Sequence, residues 1–222
     1  MKDYFLKQLK KIQVDKKSKI LLALSGGVDS MVLMDLLYHA HYNFAVAHCN
    51  FCLRDEESDE DQKFIELICQ SKQIEYFTKK FNTKEYAKKN KISTQMAARD
   101  LRYSWFCQIS KEYNFDFIAT AHHMNDSVET FLINLIRGTG ISGLHGIKHI
   151  DNNIIRPILG CSKEDIIQYA QQNNVEYRED SSNKEDEYLR NKIRNKIIPI
   201  MKEINPSVIS SIGKTICRIG EV

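Results

Sequence analysis

The chain has 222 residues, of which 42% are apolar and 27% charged, with a formal net charge of +3. This is an ordinary globular composition, long enough for one substantial core, and the net charge alone does not identify a nucleic-acid binder. No apolar run is long enough to cross a membrane, and the start MKDYFLKQLKK is too charged for a signal peptide, so a cytoplasmic protein without a membrane partner is expected.

The six cysteines are scattered without the regular spacing of a disulfide framework, which is typical of reduced thiols. Cys49 and Cys52 form a CxxC pair, a spacing found in metal, cluster and redox sites. A four-ligand site needs a second such pair, which the sequence lacks. The spacing therefore favours an incidental pair.

The first predicted strand, Ile20–Leu24, runs directly into two glycines and a predicted helix, Asp29–Tyr38. Glycine lets the backbone turn sharply and approach a ligand, and free N–H groups at a helix N-terminus bind anions. The predicted anion site comprises Ser25, Gly26, Gly27, Val28, Asp29 and Ser30.

No Lys-Ser or Lys-Thr pair follows the second glycine, so this turn is not a Walker loop. Asp29 stands there instead, and a carboxylate beside phosphates implies a bridging divalent cation such as Mg²⁺. The alternative makes Asp29 a helix cap and the glycines a plain turn. On these residues alone the two interpretations are nearly even.

Further strands are predicted at Phe44–Ala47, Ile74–Phe77 and Phe115–Ala119, separated by helices at Glu56–Lys72 and Thr94–Tyr113. Strands alternating with helices indicate an α/β fold with a doubly wound parallel sheet and helices on both faces. Ligands bind such sheets at the carboxyl ends of strands. The turns after the first and fourth strands are therefore expected to share one crevice.

Two pairs of charged residues stand at helical spacing. Arg99 and Arg102 lie three apart on one predicted helix and are suited to gripping phosphates or a leaving pyrophosphate, although surface salt bridges explain the spacing equally well. Asp126 and Glu129 share a face of the helix Asp126–Arg137 and suit a cationic substrate, although D-x-x-E is also a capping pattern.

After residue 146 the pattern changes. It predicts a strand at Ile154–Leu159 and a helix at Lys163–Gln172, with Ser162-x-x-Asp165 at its start. A basic helix follows a polar loop, and Pro199 is expected to kink or end it. The tail Asn205–Val222 has weaker signals and is interpreted either as the start of a further element or as a linker helix.

SGGVDS resembles the pyrophosphate loop (PP-loop) of N-type ATP pyrophosphatases, which split ATP between the α and β phosphates. Within that superfamily the chain resembles the tRNA(Ile)-lysidine synthase family. Seven motifs in the family's order carry this resemblance and cover most of residues 18–205: SGGVDS, HCNFCLR, MAARDLRY, AHHMNDSVET, RGTGISGLHGI, RPIL and EDSSNKEDEYLRNKIRNKIIP.

The resemblance implies an adenine nucleotide alpha hydrolase-like fold and an ATP-dependent ligase that joins free L-lysine to the wobble cytidine of an isoleucine tRNA with a CAU anticodon. It implies a catalytic domain at residues 1–185, and a basic helical linker at residues 186–222 toward a C-terminal tRNA-binding region that the sequence lacks. The oligomeric state stays open, with a homodimer as one arrangement.

The resemblance also implies residue roles. ATP would be held by Ser25 to Ser30, with Asp29 on Mg²⁺, Arg102 assisting adenylation, and Asp126 and Glu129 binding lysine. Contacts with phosphates or tRNA would come from His48, Arg54, Arg99, Arg190 and Arg194.

Two residues depart from the family pattern: Phe51 is commonly His, and Asn125 is commonly Asp. The first gives His48 and Arg54 more weight, and the second weakens a metal role for the acids of that turn. Two alternatives remain: a PP-loop tRNA thiolase, kept open by Cys49 and Cys52, and a non-catalytic nucleotide- or RNA-binding module.

Overall fold

A parallel sheet forms the centre of the molecule. The computed structural model describes residues 1–53, 55–178 and 189–220, and within them it has six strands in the order β3-β2-β1-β4-β6-β5. All neighbours pair in parallel except β5 and β6. The strands are β1 Lys19–Ala23, β2 Asn43–Asn50, β3 Tyr76–Lys80, β4 Phe117–Ala119, β5 Ile150–Asp151 and β6 Ile154–Ile155.

The strand order reverses beside β1. The chain runs from β1 outward through β2 to β3, then returns to place β4 on the other side of β1. Such a switch point opens a crevice beyond the carboxyl ends of the two strands, where ligands bind in open α/β sheets. The residues after β1 and those after β4 border this crevice.

Helices cover both faces of the sheet. The helices of the main domain are α1 Lys2–Lys11, α2 Val28–His39, α3 Asp55–Ser71, α4 Thr83–Asn90, α5 Thr94–Glu112, α6 Met124–Ile136 and α7 Lys163–Gln172. Ile20 and Leu22 of β1 pack with α1, α2, α3 and α7, whereas Leu21 packs with Trp105 and Phe106 of α5. Alternate side chains of one strand therefore enter opposite cores, as a doubly wound sheet requires.

The C-terminal helices form a third core with α6. They are α8 Leu189–Lys192, a π-helical stretch Ile193–Ile197, α9 Ile198–Ile204 and α10 Val208–Ile219. Val128 and Leu132 of α6 pack against Ile193, Ile209 and Ile216. This packing holds the basic segment beside the helix that carries Asp126 and Glu129.

The predicted fold class is confirmed, and the differences are local. Helices α1 and α4 and strand β5 were not predicted, and the expected strand Ile154–Leu159 is only two residues long. β5 and β6 form a hairpin whose two-residue loop begins with Asn152 at φ +52°, a conformation asparagine tolerates. Pro157 follows the strand, where it needs no ladder hydrogen bond.

The prediction for Pro199 was partly wrong. The helical path continues past it to Ile204, and Pro199 stands at the start of α9 directly after the π-helical stretch. Proline lacks an N–H and crowds the carbonyl four residues earlier, so a widened turn just before it relieves the clash. The Ser162–Asp165 capping box of α7 forms as expected. No helix within the described ranges is long and apolar enough to span a membrane.

Candidate active site

The turn after β1 is built as an anion cradle. Gly26 has φ +90°, a left-handed conformation that favours glycine, and Gly27 caps α2 without offering a side chain to its first N–H groups. Two hydroxyls brace the turn: Ser30 Oγ donates to the carbonyl of Gly27 at 3.0 Å and lies 3.1 Å from Ser25 Oγ. The positive end of α2 therefore faces the crevice.

Two residues from other elements support this turn. The ring of His48 is buried, and its Nδ1 donates to the carbonyl of Leu24 at 2.9 Å, while burial lowers the pKa of the ring. The backbone N–H of Arg178 donates to the carbonyl of Gly26 at 3.0 Å, and its guanidinium pairs with Glu60 on α3. His48, predicted as a phosphate or tRNA contact, thus lies beneath the loop and contacts its backbone.

Asp29 faces two basic side chains from outside the loop. Its Oδ1 accepts from Lys163 Nζ at 2.6 Å, and its Oδ2 lies 3.8 Å from His123 Nε2. About a third of the Asp29 and Lys163 side chains is exposed, whereas His123 is buried. A carboxylate of this exposure, at the rim of an anion cradle, is placed to meet a cation that accompanies the anion.

Asp126 lies on the other side of His123. His123 Nε2 is 3.5 Å from Asp126 Oδ2, and the same carboxylate oxygen accepts from the His123 backbone N–H at 3.0 Å. Asp126 therefore does take part in capping α6, but as the third residue of the helix paired with His123, and not through the D-x-x-E spacing to Glu129. His123 also connects it to Asp29, so the anion cradle and the acid pair belong to one site.

Two arginines of the C-terminal segment occupy the acid pair. Glu129 is 1% exposed and accepts from Arg190 Nε at 2.7 Å and from Arg194 Nε at 2.6 Å. Asp126 Oδ1 accepts from Arg190 Nη2 at 3.1 Å. The structure thus joins the acids predicted for lysine to arginines predicted for phosphates or tRNA, so their charges balance.

The same neighbours set the titration of Asp126. Burial acts to raise its pKa, but the positive charges of His123 and Arg190 and the His123 N–H outweigh burial. The pKa of Asp126 therefore lies below its ordinary value, and the carboxyl is ionised wherever the protein works near neutral pH.

His122 is a neutral imidazole at the edge of the site. Its Nδ1 lies 2.9 Å from Thr120 Oγ1. Burial lowers its pKa to about 4; Asp126 opposes the shift, and the nearby charges of Arg156 and Arg190 add to it. The ring of His123 therefore lies between two carboxylates, whereas the ring of His122 lies near the positive charges of arginines.

Arg99 and Arg102 stand on α5 with aromatic partners. The Arg99 guanidinium lies 4.9 Å from the centroid of the Tyr103 ring, and that of Arg102 lies 5.2 Å from the Phe51 ring. Phe51 in turn stacks on Phe81 with centroids 5.7 Å apart. Phe51, which stands where the family commonly has His, therefore offers Arg102 an aromatic face for a cation–π contact.

The sequence analysis did not identify Lys163, Arg156 and Arg178 as site residues. Lys163 reaches Asp29 across 134 positions of sequence, and nothing in its local pattern distinguishes it from a solvated residue of a helix first turn. Asn125 has a role after all, because its Oδ1 accepts from the Lys163 backbone N–H at 3.0 Å.

Two further predictions concern Arg54 and the pair Cys49 and Cys52. Arg54 lies outside the described residues. Cys49 and Cys52 are both free thiols, and burial raises the pKa of Cys49 to about 12. In the part of the chain that the structure describes, no three His, Cys, Asp or Glu side chains are grouped as metal ligands.

The sheet order, the glycine turn after β1 and the acid of that turn define a PP-loop nucleotide-binding domain. Residues 1–201 match the PP-loop domain family, and the chain belongs to it. The resemblance inferred from SGGVDS is thereby confirmed.

Curated relatives give a more particular likeness. The chain is 50% identical over 204 residues to the tRNA(Ile)-lysidine synthase of Bacteroides thetaiotaomicron, covering 92% of this chain and 48% of that protein. It is 44% identical over 197 residues to that of Porphyromonas gingivalis, covering 88% and 43%, and 42% identical over 196 residues to that of Petrotoga mobilis, covering 86% and 63%. The chain spans about half the length of the first two.

Solved structures share the fold at low sequence identity. The U34-tRNA thiolase NcsA from Methanococcus maripaludis, with its [4Fe-4S] cluster, matches with a TM-score of 0.77 at 20% identity, over 100% of this chain and 78% of that one. An NH3-dependent NAD synthetase from Campylobacter jejuni matches with a TM-score of 0.57 at 15% identity, over 98% and 92%. At these identities the likeness concerns the fold alone.

Proposed function

We propose that this chain is the catalytic part of a tRNA(Ile)-lysidine synthase. It uses ATP to join free L-lysine to the wobble cytidine of an isoleucine tRNA with a CAU anticodon, which changes codon reading from AUG to AUA. The observation that carries the proposal is the row Asp29–His123–Asp126, in which His123 lies between the acid of the anion cradle and the first acid of the pair Asp126 and Glu129. Relatives of the same name, 40–50% identical, support the choice among PP-loop reactions.

The chemistry has two balanced steps. In the first, the carbonyl oxygen of the cytosine ring attacks the α phosphorus of ATP, forming a C–O–P linkage and expelling pyrophosphate. In the second, the side-chain ammonium of lysine gives up a proton to solvent, the resulting amine attacks the ring carbon, the C–O bond breaks, and AMP leaves with the oxygen. The protein must hold three substrates, exclude water and neutralise the expelled pyrophosphate.

ATP suits the cradle of residues Ser25 to Ser30. The N–H groups at the start of α2 would face the phosphates, and the positive φ of Gly26 lets the backbone approach them. Mg²⁺ fits beside them: it is typically held by one or two carboxylates together with substrate phosphates, and Asp29 offers a carboxylate that is a third exposed. When bound, Mg²⁺ supplies positive charge that screens the phosphates.

Asp126 and Glu129 would select lysine by charge, in a site that Arg190 and Arg194 fill here. A lysine ammonium gains little from a carboxylate already paired with a guanidinium. Lysine binding therefore requires at least one arginine to turn toward another anion. Phosphates of ATP or tRNA would supply it, which reconciles the two predicted roles.

Arg102, held over Phe51, would assist adenylation, and Arg99 would meet tRNA phosphates. We place the catalytic domain at residues 1–185 and the linker toward a tRNA-binding region at residues 186–222, although the linker helices share a core with α6. Action in the cytoplasm completes the proposal.

Lysine-dependent release of AMP from ATP, measured with the isoleucine tRNA, tests it. Asp29→Ala should abolish release while leaving tRNA affinity intact, because Asp29 would act on the nucleotide alone. Release that persists without lysine, or full activity in the variant, would count against the proposal.

A further inference from the structure

The α7 helix carries a lysine into the mouth of the nucleotide cradle. Lys163 is the first residue of α7, and its Nζ lies 2.6 Å from Asp29 Oδ1. Apart from this contact the ammonium is partly open, since 34% of the Lys163 side chain is exposed. A partly exposed ammonium thus stands at the place where the triphosphate would enter.

Hydrogen bonds hold the backbone of Lys163, whereas its ammonium stands at the end of a flexible four-carbon stem. Asn125 Oδ1 accepts from its N–H at 3.0 Å, and the N–H of Met124 donates to the carbonyl of Cys161 at 2.8 Å. The N-terminus of α7 is therefore joined to that of α6, and Ser162 caps α7 with a complete capping box. Any displacement of the ammonium must come from its four-carbon stem.

A carboxylate and a triphosphate repel each other across a shared cradle. In this structure Lys163 supplies the counter-charge of Asp29. An ammonium has three donor hydrogens and can hold a carboxylate and a phosphate oxygen at once. Lys163 also lies in the first turn of α7, at the positive end of the helix dipole, which favours an anion beside it.

We propose that Lys163 is an ATP-binding residue that contacts the β and γ phosphates, the part expelled as pyrophosphate. The inference rests on the proposed use of ATP. On nucleotide binding the ammonium turns from Asp29 toward the phosphate oxygens and leaves the carboxylate for the accompanying cation. Lys163 thereby neutralises charge that grows on the leaving group.

A purely structural ion pair of this exposure contributes little stability and has no preference among nucleotides. The two roles are therefore separable by ligand. A residue on the β and γ phosphates affects ATP and not AMP, whereas an ion pair that only orders the loop affects both equally.

The experiment is calorimetric titration of the protein with ATP and with AMP, each with Mg²⁺, for wild type and three variants. Lys163→Met should weaken ATP about tenfold or more, the loss of one charge-assisted hydrogen bond, with AMP unchanged. Lys163→Arg should keep most of the ATP affinity. The matched control is Lys202→Met. It removes a lysine of α9 that pairs at 2.7 Å with Glu164, the neighbour of Lys163 on α7.

Equal ATP affinity in wild type and Lys163→Met would overturn the inference while leaving the proposed function standing. An equal loss for ATP and AMP would also overturn it, since the lysine would then act on the loop. A wild type that binds no ATP would refute both. Lys163→Gln, which keeps the polar stem, repeats the comparison if the methionine variant has a lowered melting temperature.

Discussion

Arg194 donates through Nε to Glu129 Oε1 at 2.6 Å, so a carboxylate that is 1% exposed is paired with a side chain 65 positions away. Arg190 holds the other oxygen of the same carboxylate. The basic segment therefore closes over α6, and two arginines balance the charges of the two ionised acids before any substrate arrives.

Glu129→Gln should lower stability by about 1–3 kcal/mol, because two guanidinium groups lose their buried acceptor charge. It should also raise KM for lysine more than KM for ATP. Urea denaturation and steady-state kinetics measure the two effects. The matched control is Glu164→Gln, which removes an exposed acid paired with Lys202 and should change stability by less than about 0.5 kcal/mol. Equal behaviour of the two variants would contradict the pairing.

Arg194→Ala should weaken the closure without removing either acid. One guanidinium then remains for two carboxylates, so the site becomes negative and lysine should bind more tightly in the absence of tRNA. Calorimetric titration with lysine measures this. A lower lysine affinity in the variant would mean that Arg194 takes part in lysine binding and does not compete with it.

Asn125→Ala should destabilise the fold by about 1 kcal/mol, since the Lys163 N–H at the start of α7 loses its acceptor. Asn125→Asp replaces the amide oxygen by a carboxylate oxygen, so the Lys163 N–H keeps an acceptor and the variant should retain most of the stability. Chemical denaturation of the two variants compares them directly. A loss as large for Asp as for Ala would show that the amide group itself is needed.

His122 should stay neutral down to about pH 4, the pKa to which burial lowers it from 6.5. The unfolded chain takes up this proton at higher pH than the folded one, so stability falls as pH drops from about 6.5 toward 4. The contribution is on the order of 3 kcal/mol across that window. Denaturation of wild type and His122→Asn at several pH values tests it, because the variant should show a shallower pH slope. A ring that titrates near 6.5 by NMR would contradict it.

The sequence was sufficient for strands β1 to β4 and for the glycine turn after β1 because both depend on local patterns. Buried strands read as continuous apolar runs, and Gly26–Gly27 before Asp29 marks a turn into a helix. The partners of the charged residues could not be predicted from the sequence. Lys163 and Arg194 meet Asp29 and Glu129 through tertiary packing of α7 and the C-terminal helices, and no spacing rule spans such separations.

The errors in predicting strands β5 and β6 also have physical reasons. The strand expected at Ile154–Leu159 is short because the chain turns at Pro157, where the N–H of Leu159 donates to the carbonyl of Arg156. The β5–β6 hairpin depends on Asn152 in the left-handed region, a signal present in the Asn-Asn pair but weaker than Asn-Gly.

Mass spectrometry of the modified nucleoside is the most direct measurement of the proposed reaction. Isoleucine tRNA with a CAU anticodon is incubated with this chain, ATP, Mg²⁺ and lysine, then digested to nucleosides. The wobble cytidine should gain the mass of one lysine less one water, and Asp29→Ala should yield only cytidine. A wobble cytidine that stays unmodified while wild type consumes ATP, or that gains sulfur, would contradict the assignment of this crevice to lysine ligation.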